Sequence, residues 1–180
     1  ALSLISDKNL PIKILDFGTG SGCIILSLLK EFPNSIGVAV DIDNNALDVA
    51  RKNVIKLSLE DRVKFILSDW GRDINEEFDL IVSNPPYIPE KEIENLEIEV
   101  KEFEPSKALV AGSDGLDDYK KISIYLPKLL ASGAYAILEF GKGQGEMVKE
   151  ILCNDSMKFI SFTKDLSGIE RCITIKREID

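Results

Sequence analysis

The stretch that decides the fold is KILDFGTGSG, residues 13–22. Its first half, Lys13–Phe17, is a short apolar run typical of a buried strand, and a glycine cluster follows it. Residues Cys23–Phe32 then show helical spacing until Pro33 stops them. The stretch therefore predicts a strand, a loop and a helix, in that order.

Strand and helix patterns keep alternating along the first half of the chain. Ile36–Val40 predicts a second strand, and Asn44–Leu59 predicts a helix because its apolar residues fall on one helical face. Val63–Leu67 and Phe78–Ser83 predict the third and fourth strands. Two prolines, which cannot donate to a sheet ladder, end the fourth strand.

The second half repeats the pattern after an acidic segment. Residues 88–113 are predicted to be an insertion over the functional site, since Ile88–Lys107 has seven Glu against three Lys and only a partial apolar stripe. The other predicted elements are a helix at Leu116–Ala131 that is broken or restarted at Pro127, a strand at Ala134–Phe140 after a Ser132-Gly133 turn, a helix at Glu146–Leu152, and closing strands at Lys158–Phe162 and Cys172–Lys176.

These elements predict an α/β fold in one domain over residues 1–180. Strands that are apolar nearly throughout indicate a mostly parallel sheet with helices on both faces. Ligands of such sheets bind beyond the carboxyl ends of the strands. Gly18, Asp41, Asp69 and Asn84 each follow one of the first four strands, so we expect them at one edge of the sheet.

Composition narrows the classes of chemistry. The 180 residues include no histidine and carry a net charge of −9. Without histidine, Ser-His or Cys-His catalysis and metal-assisted hydrolysis are poor candidates, and we expect no metal site. The negative charge opposes binding to a nucleic-acid backbone. Cys23, Cys153 and Cys172 lack CxxC spacing, and each is expected to pack as a small apolar residue.

No segment predicts a membrane span or a signal peptide. The longest apolar stretch, Cys23–Leu29, is far shorter than the roughly 20 residues needed to cross a bilayer. Residues Ala1–Leu10 lack a basic start and a long apolar block. The chain does not begin with Met, which fits a portion of a longer protein.

The loop Gly18-Thr19-Gly20-Ser21-Gly22 predicts a site for a nucleoside cofactor. Its glycines let the backbone approach a ligand closely at a helix N-terminus, whereas a tight turn without a ligand is the alternative. Cys23 stands where a dinucleotide fingerprint has its third glycine. A nicotinamide cofactor is therefore disfavoured.

Acidic residues and a tryptophan complete this end of the site. Asp41 directly continues the second strand and is predicted to accept the ribose hydroxyls, while Asp43, the other candidate, is assigned to the start of the next helix. Asp69 is a predicted acceptor for an exocyclic amine, and Trp70 a ring that stacks on a purine. A lone tryptophan is more often a core residue, but its position at a strand end favours the cofactor role.

Asn84-Pro85-Pro86-Tyr87 is the most specific motif, with a proline turn and asparagine cap as the alternative. The lone pair of an amide or aromatic-amine nitrogen is delocalised, which makes the nitrogen a poor nucleophile. A site must therefore accept hydrogen bonds from its N–H groups and leave the lone pair facing the methyl donor. The Asn84 side-chain oxygen and the Pro85 carbonyl can accept those bonds, and the prolines fix the backbone. Tyr87 can pack on the substrate plane. The motif therefore predicts methyl transfer to a planar nitrogen.

With these residues in place, the sequence resembles the HemK/PrmC family, the release-factor glutamine methyltransferases. The resembling segments span nearly the whole chain and are ILDFGTGSG, AVDID, SDW, IVSNPPY, FEPSKALVAGSDGLDDY, LEFGKGQGE and DLSGIERC. The resemblance implies a Rossmann-like class I fold dependent on S-adenosylmethionine, with a seven-stranded sheet and a terminal antiparallel strand. It also implies a cytoplasmic enzyme of translation termination, which methylates the glutamine side-chain amide in the GGQ motif of bacterial-type release factors.

Carried over by position, the resemblance assigns cofactor contacts to Gly18–Gly22, Asp41, Trp70 and Asn84. It assigns catalysis to Asn84, Pro85 and Tyr87, and substrate contacts to these residues with Pro86. Phe103 is expected to form a wall of the site and Glu104 to be a structural hydrogen-bonding residue, with a solvated loop as the alternative. Arg171 is expected to brace the sheet through a carboxylate. The family also carries an N-terminal helical domain that helps dock the release factor, whereas this chain starts almost directly at the first strand.

Three other functions remain open on the sequence. An adenine-N6 methyltransferase acting on DNA or RNA makes the same demands on the NPPY motif, but it needs a basic channel for the extruded base. A glutamine methyltransferase of ribosomal proteins shares the motif, and the FEPSKAL and AGSDGLD segments favour the release-factor branch. A non-catalytic nucleotide-binding module leaves Asn84 and Tyr87 without a purpose.

Overall fold

A computed structural model describes residues 1–95 and 110–179. Within these residues the strands are β1 Lys13–Phe17, β2 Ile36–Asp41, β3 Val63–Leu67, β4 Phe78–Ser83, β5 Leu130–Glu139, β6 Met157–Lys164 and β7 Glu170–Arg177. The α-helices are α1 Cys23–Glu31, α2 Asn44–Leu57, α3 Asp117–Leu129 and α4 Gly145–Leu152. Short 3-10 helices lie at Glu60–Arg62 and Glu90–Asn95.

The seven strands of the described residues form one sheet in the order β3-β2-β1-β4-β5-β7-β6. The first five strands in this order are parallel to one another, β7 is antiparallel to β5, and β6 is antiparallel to β7. Six strands therefore run in one direction and β7 in the other. The predicted α/β fold, with its mostly parallel seven-stranded sheet and antiparallel strand near the C-terminus, is confirmed.

Two apolar clusters cover the two faces of the sheet. Neighbouring residues of a strand point to opposite faces, so Ile14 joins one cluster and Leu15 the other. The Ile14 cluster includes residues of α1 and α2, such as Leu29 and Val54. The Leu15 cluster includes residues of α3 and α4, such as Ile122. Helices therefore pack on both faces, as predicted.

The predicted helix break at Pro127 is wrong, because α3 continues through this residue to Leu129. Pro127 lies in the last turn, where its missing N–H removes a single helical hydrogen bond. Leu126 and Leu129 on either side of it are buried in the core. Packing of this turn outweighs the local cost of the proline.

The predicted turn at Ser132-Gly133 is also wrong, since both residues lie inside β5. Phe78 of β4 pairs with Leu130 of β5, but Leu80 pairs with Tyr135. Two steps along β4 thus correspond to five along β5, and the extra residues form a bulge. Gly133 has a φ of 76°, which a glycine adopts without strain.

Cys23 departs from the expectation that each cysteine packs as a small apolar residue, because it is exposed. It is the first residue of α1, whose inner face is occupied by Ile25, Leu26 and Leu29. Cys153 and Cys172 are half-buried. None of the helices in the described ranges is long and apolar enough to span a membrane.

Candidate functional site

The carboxyl ends of the first four strands meet along one edge of the sheet. Phe17 at the end of β1 lies beside Val40 of β2 and Ser83 of β4. The Ser83 hydroxyl donates to the Phe17 carbonyl at 2.9 Å, and the Ser68 N–H after β3 donates to the Asp41 carbonyl at 3.0 Å. Residues that follow these strand ends are therefore neighbours, as the sequence predicted.

The glycine loop between β1 and α1 is fastened to the end of β2. Its three glycines, at positions 18, 20 and 22, all have positive φ values, of 65°, 56° and 81°. The Thr19 N–H donates to the Val40 carbonyl at 2.9 Å, and the Gly20 N–H donates to Asp41 Oδ2 at 2.8 Å. The left-handed conformation lets the loop turn tightly above the strand ends.

Asp41 and Asp43 have separate tasks in the structure. Asp43 Oδ1 accepts the Asn45 N–H at 2.9 Å, which confirms that Asp43 caps α2. Asp41 accepts the N–H groups of Gly20 and Asp43, one on each carboxylate oxygen, at 2.8 and 2.9 Å. Each oxygen keeps a further lone pair, so the half-buried carboxylate can still accept hydrogen bonds from ribose hydroxyls. The contact between Asp41 and a ribose stays a prediction.

Trp70 lies directly against the glycine loop. Its ring is 3.5 Å from the position that a Cβ atom would have at Gly18, and it makes a T-shaped contact with the Phe17 ring at a centroid distance of 6.0 Å. Its φ of 53° is left-handed, which costs a non-glycine residue about 1–3 kcal/mol. The surroundings therefore hold this side chain in place beside the loop, where a purine platform was predicted.

Asp69, the neighbour of Trp70, already has a charged partner. Its Oδ2 lies 3.0 Å from an Arg72 guanidinium nitrogen, in an ion pair whose arginine is exposed. An exocyclic amine would have to share the carboxylate with Arg72. The predicted contact between Asp69 and the cofactor stays a prediction.

Asp16 is an acidic residue of this edge that the sequence reasoning missed. It is fully buried, and the Thr19 hydroxyl donates to its Oδ2 at 2.7 Å, while its Oδ1 has no hydrogen-bond partner in the described ranges. Burial raises the pKa of Asp16 to about 7, and the nearby Asp41 charge adds to this, while the hydrogen bond from Thr19 and the nearby N–H of Ile25 oppose it. The sequence signal that could have revealed Asp16 is an acidic residue inside the otherwise mainly apolar strand Lys13–Phe17.

The NPPY motif begins directly after β4. Asn84 is exposed, Pro85 is buried, and Pro86 and Tyr87 are half-buried. The polar end of Asn84 is thus accessible while Pro85 anchors the backbone. Because Phe17 and Ser83 pair, the motif starts beside the glycine loop.

The last residue of β5 and the residue that precedes the next helix make two contacts to Tyr87 that the sequence did not reveal. The Tyr87 hydroxyl donates to Glu139 Oε1 at 3.2 Å, and Gln144 Nε2 donates to the Tyr87 carbonyl at 2.9 Å. Both residues lie in the segment LEFGKGQGE, which entered the sequence reasoning only through a family resemblance.

The two ends of the predicted insertion are held together next to Tyr87. Ile88 forms a parallel bridge with Val110, the Ala111 N–H donates to the Ile88 carbonyl at 3.1 Å, and the Glu90 N–H donates to the Gly112 carbonyl at 3.0 Å. Phe103 and Glu104, the predicted wall and structural residue, lie outside the described residues.

Arg171 braces the hairpin of β6 and β7. Its Nε lies 3.3 Å from Asp165 Oδ2, so the predicted pairing with a carboxylate is confirmed. The Arg171 carbonyl also accepts the N–H of Phe140 at 2.8 Å, which ties this hairpin to the residue that follows β5.

Comparisons with known proteins show which proteins this chain is similar to in sequence. The chain is 47% identical over 165 residues to a release factor glutamine methyltransferase of Rhodospirillum rubrum, covering 92% of this chain and 51% of that protein. It is 40% identical over 166 residues to a protein of the same name from Bradyrhizobium diazoefficiens, covering 92% of this chain and 56% of that protein. The chain thus spans about half the length of these curated relatives.

A solved structure agrees at the level of the fold. An RNA methyltransferase from Salinibacter ruber, crystallised with S-adenosyl-L-homocysteine, superposes with a TM-score of 0.60 at 18% identity, covering 99% of this chain and 88% of that chain. The model of the methyltransferase small domain family matches residues 2–107, which include the glycine loop, Asp41, Trp70 and the NPPY motif. Since the match extends over more than half of the sequence, this chain belongs to the methyltransferase small domain family.

Proposed function

We propose that this chain transfers a methyl group from S-adenosylmethionine to the side-chain amide nitrogen of the glutamine in the GGQ motif of peptide-chain release factors. The observation that carries the proposal is the position of Asn84–Tyr87 beside the glycine loop, at one sheet edge. The identity of 40–47% to release factor glutamine methyltransferases supports this choice of substrate. The proposed site of action is the cytoplasm, where release factors act on ribosomes.

The residues at this edge fit a cationic nucleoside cofactor. Asp41 offers a half-buried carboxylate to ribose hydroxyls, Trp70 offers a ring face, and the left-handed glycines let the cofactor approach the backbone. Asp16 and Asp41 concentrate acidic groups here, and Asp16 keeps a buried oxygen without a partner in the described ranges. When bound, S-adenosylmethionine supplies a methyl group on a positively charged sulfur.

Asn84 and Pro85 orient the glutamine amide. The Asn84 side-chain oxygen and the Pro85 carbonyl accept the two N–H bonds of the amide, which leaves its lone pair directed at the methyl group. Because Pro85 is buried and both prolines restrict the backbone, the Pro85 carbonyl is held in place before the substrate arrives, and the backbone of Asn84 is restricted by the proline that follows it. Such positioning can lower a barrier by roughly 7–11 kcal/mol.

Tyr87 covers the amide plane and stabilises charge. As the nitrogen–carbon bond forms, positive charge develops on the amide nitrogen, and the oxygens together with the tyrosine face favour it. The nitrogen loses one proton to water after the transfer, so no strong base is needed beforehand. This suits a chain without histidine.

We also propose that residues 88–113 form an insertion that covers the substrate within a single catalytic domain, with Phe103 as a wall. The paired ends of this segment next to Tyr87 support the proposal. Asp69 and Asn84 are proposed to contact the cofactor from the ends of β3 and β4.

A substrate competition experiment tests the function. The chain is incubated with radiolabelled S-adenosylmethionine, an intact release factor, the same factor with its GGQ glutamine replaced by glutamate, a ribosomal-protein extract and duplex DNA. We expect label on the intact release factor alone, because glutamate has the same shape but no amide nitrogen. Label on DNA, on ribosomal protein or on the glutamate-substituted factor would refute the proposed substrate.

A further inference from the structure

Gln144 makes a buried double contact at the end of β5. Its side chain is 7% exposed. Oε1 accepts the Gly141 N–H at 2.8 Å, and Nε2 donates to the Tyr87 carbonyl at 2.9 Å. A single amide therefore joins the end of the NPPY motif to the turn that follows β5, across 57 residues of sequence.

Two glycines make room for this amide. A Cβ atom at Gly115 would lie 2.6 Å from Gln144 Nε2 and closer still to the carbonyl oxygen of Tyr87. A Cβ atom at Gly141 would lie 2.6 Å from Gln144 Oε1. These distances are shorter than carbon contacts allow, so backbone from two other segments closes around the Gln144 side chain. The close fit fixes the direction of both hydrogen bonds.

Glu139 holds the other end of Tyr87. The tyrosine hydroxyl donates to Glu139 Oε1 at 3.2 Å, and the Tyr119 hydroxyl donates to the Glu139 carbonyl at 2.7 Å. Tyr119 is fully buried, so Glu139 is itself anchored to α3. Tyr87 is thus held at its backbone by Gln144 and at its ring by Glu139.

We infer that Gln144 is a positioning residue that keeps the Asn84–Tyr87 loop in register with the end of β5 for methyl transfer. The inference rests on the proposed function. Gln144 acts through the Tyr87 backbone rather than on the reacting atoms. Since the loop supplies both acceptors of the substrate amide, a shift of its last carbonyl displaces the acceptors and the ring together.

The chemistry of the two contacts requires an uncharged amide. Gly141 needs an acceptor and Tyr87 needs a donor, and glutamine carries both on one planar group. An ionised carboxylate of the same shape can accept from Gly141 but cannot donate to Tyr87. A protonated carboxyl can do both, so Gln144→Glu makes the contact depend on pH.

The first test measures methyl transfer to a GGQ release factor between pH 5.5 and 9. Gln144→Met should lower kcat by roughly 10²-fold, the cost typical of a misplaced reactive group, with cofactor affinity unchanged. Gln144→Glu should recover rate relative to wild type as the pH falls, because burial favours the protonated carboxyl that donates to Tyr87. Taking the ratio to wild type at each pH cancels the contributions of neighbouring groups that both proteins share, such as Asp16 and Glu139. Glu146→Ala, an exposed change in the first turn of the helix that follows Gln144, is the matched control.

The second test follows backbone hydrogen exchange of the free chain and needs no turnover. Gln144→Met should speed exchange of the Gly141 amide and of the amides of Tyr87, Ile88 and Glu90, while Glu146→Ala leaves all of them unchanged. Should wild type leave the release factor unlabelled, the proposed function fails, and the exchange rates still decide whether Gln144 holds Tyr87. Exchange and kcat equal to those of the control in both Gln144 variants, or a Gln144→Glu ratio that is flat with pH, would overturn the inference.

Discussion

Replacing Asp16 by asparagine should make the protein more stable at alkaline pH. The carboxyl is fully buried, and its pKa rises from 3.8 to about 7, chiefly because burial disfavours the charged form. Asparagine has nearly the same shape and never ionises. Its side-chain oxygen can still accept the Thr19 hydroxyl, which donates to Asp16 at 2.7 Å in the native protein.

The size of the effect follows from proton linkage. Between pH 3.8 and about 7 the folded protein keeps the Asp16 proton while the unfolded chain has released it, so stability falls as the pH rises through this window. A shift of about three units corresponds to a total loss of about 4 kcal/mol. About 3 kcal/mol of this loss falls between pH 5 and pH 8.5.

The assay is urea unfolding at four values between pH 5 and pH 8.5, followed by fluorescence of Trp70, the chain's one tryptophan. The free energy of unfolding of Asp16→Asn, relative to wild type, should increase by about 3 kcal/mol over this range. Asp155→Asn, at an exposed aspartate, should follow wild type within about 0.5 kcal/mol. A parallel pH dependence of Asp16→Asn and wild type would refute the view that Asp16 is protonated by burial.

Three further substitutions test the site and its supports. Asn84→Ala should keep the thermal midpoint of wild type but lower methyl transfer to a release factor by roughly 10²-fold or more, since one fixed acceptor is lost; undiminished turnover would remove Asn84 from the mechanism. Asp43→Ala deletes the cap that accepts the Asn45 N–H and should lower the free energy of unfolding in urea by about 1 kcal/mol, whereas Asp43→Asn should retain most of it. Tyr119→Phe removes the donor to the Glu139 carbonyl and should cost about 1 kcal/mol in the same measurement, so an unchanged value would mean that this contact contributes nothing.

Local patterns were sufficient for three of the parallel strands. β1, β3 and β4 have the predicted bounds, because each is a short, mainly apolar run bordered by turn or loop residues. The positions of Gly18, Asp41, Asp69 and Asn84 at one edge also followed from sequence, since parallel strands bring their carboxyl ends together. Placing these residues at one edge requires only that the strands run in the same direction, and it requires no knowledge of side-chain contacts.

Predictions failed where packing competes with a local signal. Pro127 and Gly133 are normally turn residues, yet the first lies inside α3 and the second inside β5. Leu126, Leu129 and Leu130 are all buried, so continuing the helix through Pro127 and directly into β5 gains more than the proline costs. The bulge in β5 accommodates Gly133 within the strand. A local sequence pattern does not show which distant residues will pack against a segment, and this packing decides whether the segment stays in a helix or strand.

The sequence by itself determined the fold class, the edge of the sheet at which the candidate site lies, and the glycine loop and NPPY motif at that edge. Only the tertiary structure revealed that Asp16 is buried with one oxygen unpaired in the described ranges, and that Gln144 holds Tyr87. A motif requires residues close together in sequence, whereas a hydrogen bond requires atoms close together in space. Gln144 and Tyr87 are 57 positions apart, and they meet only after β4 and β5 have paired.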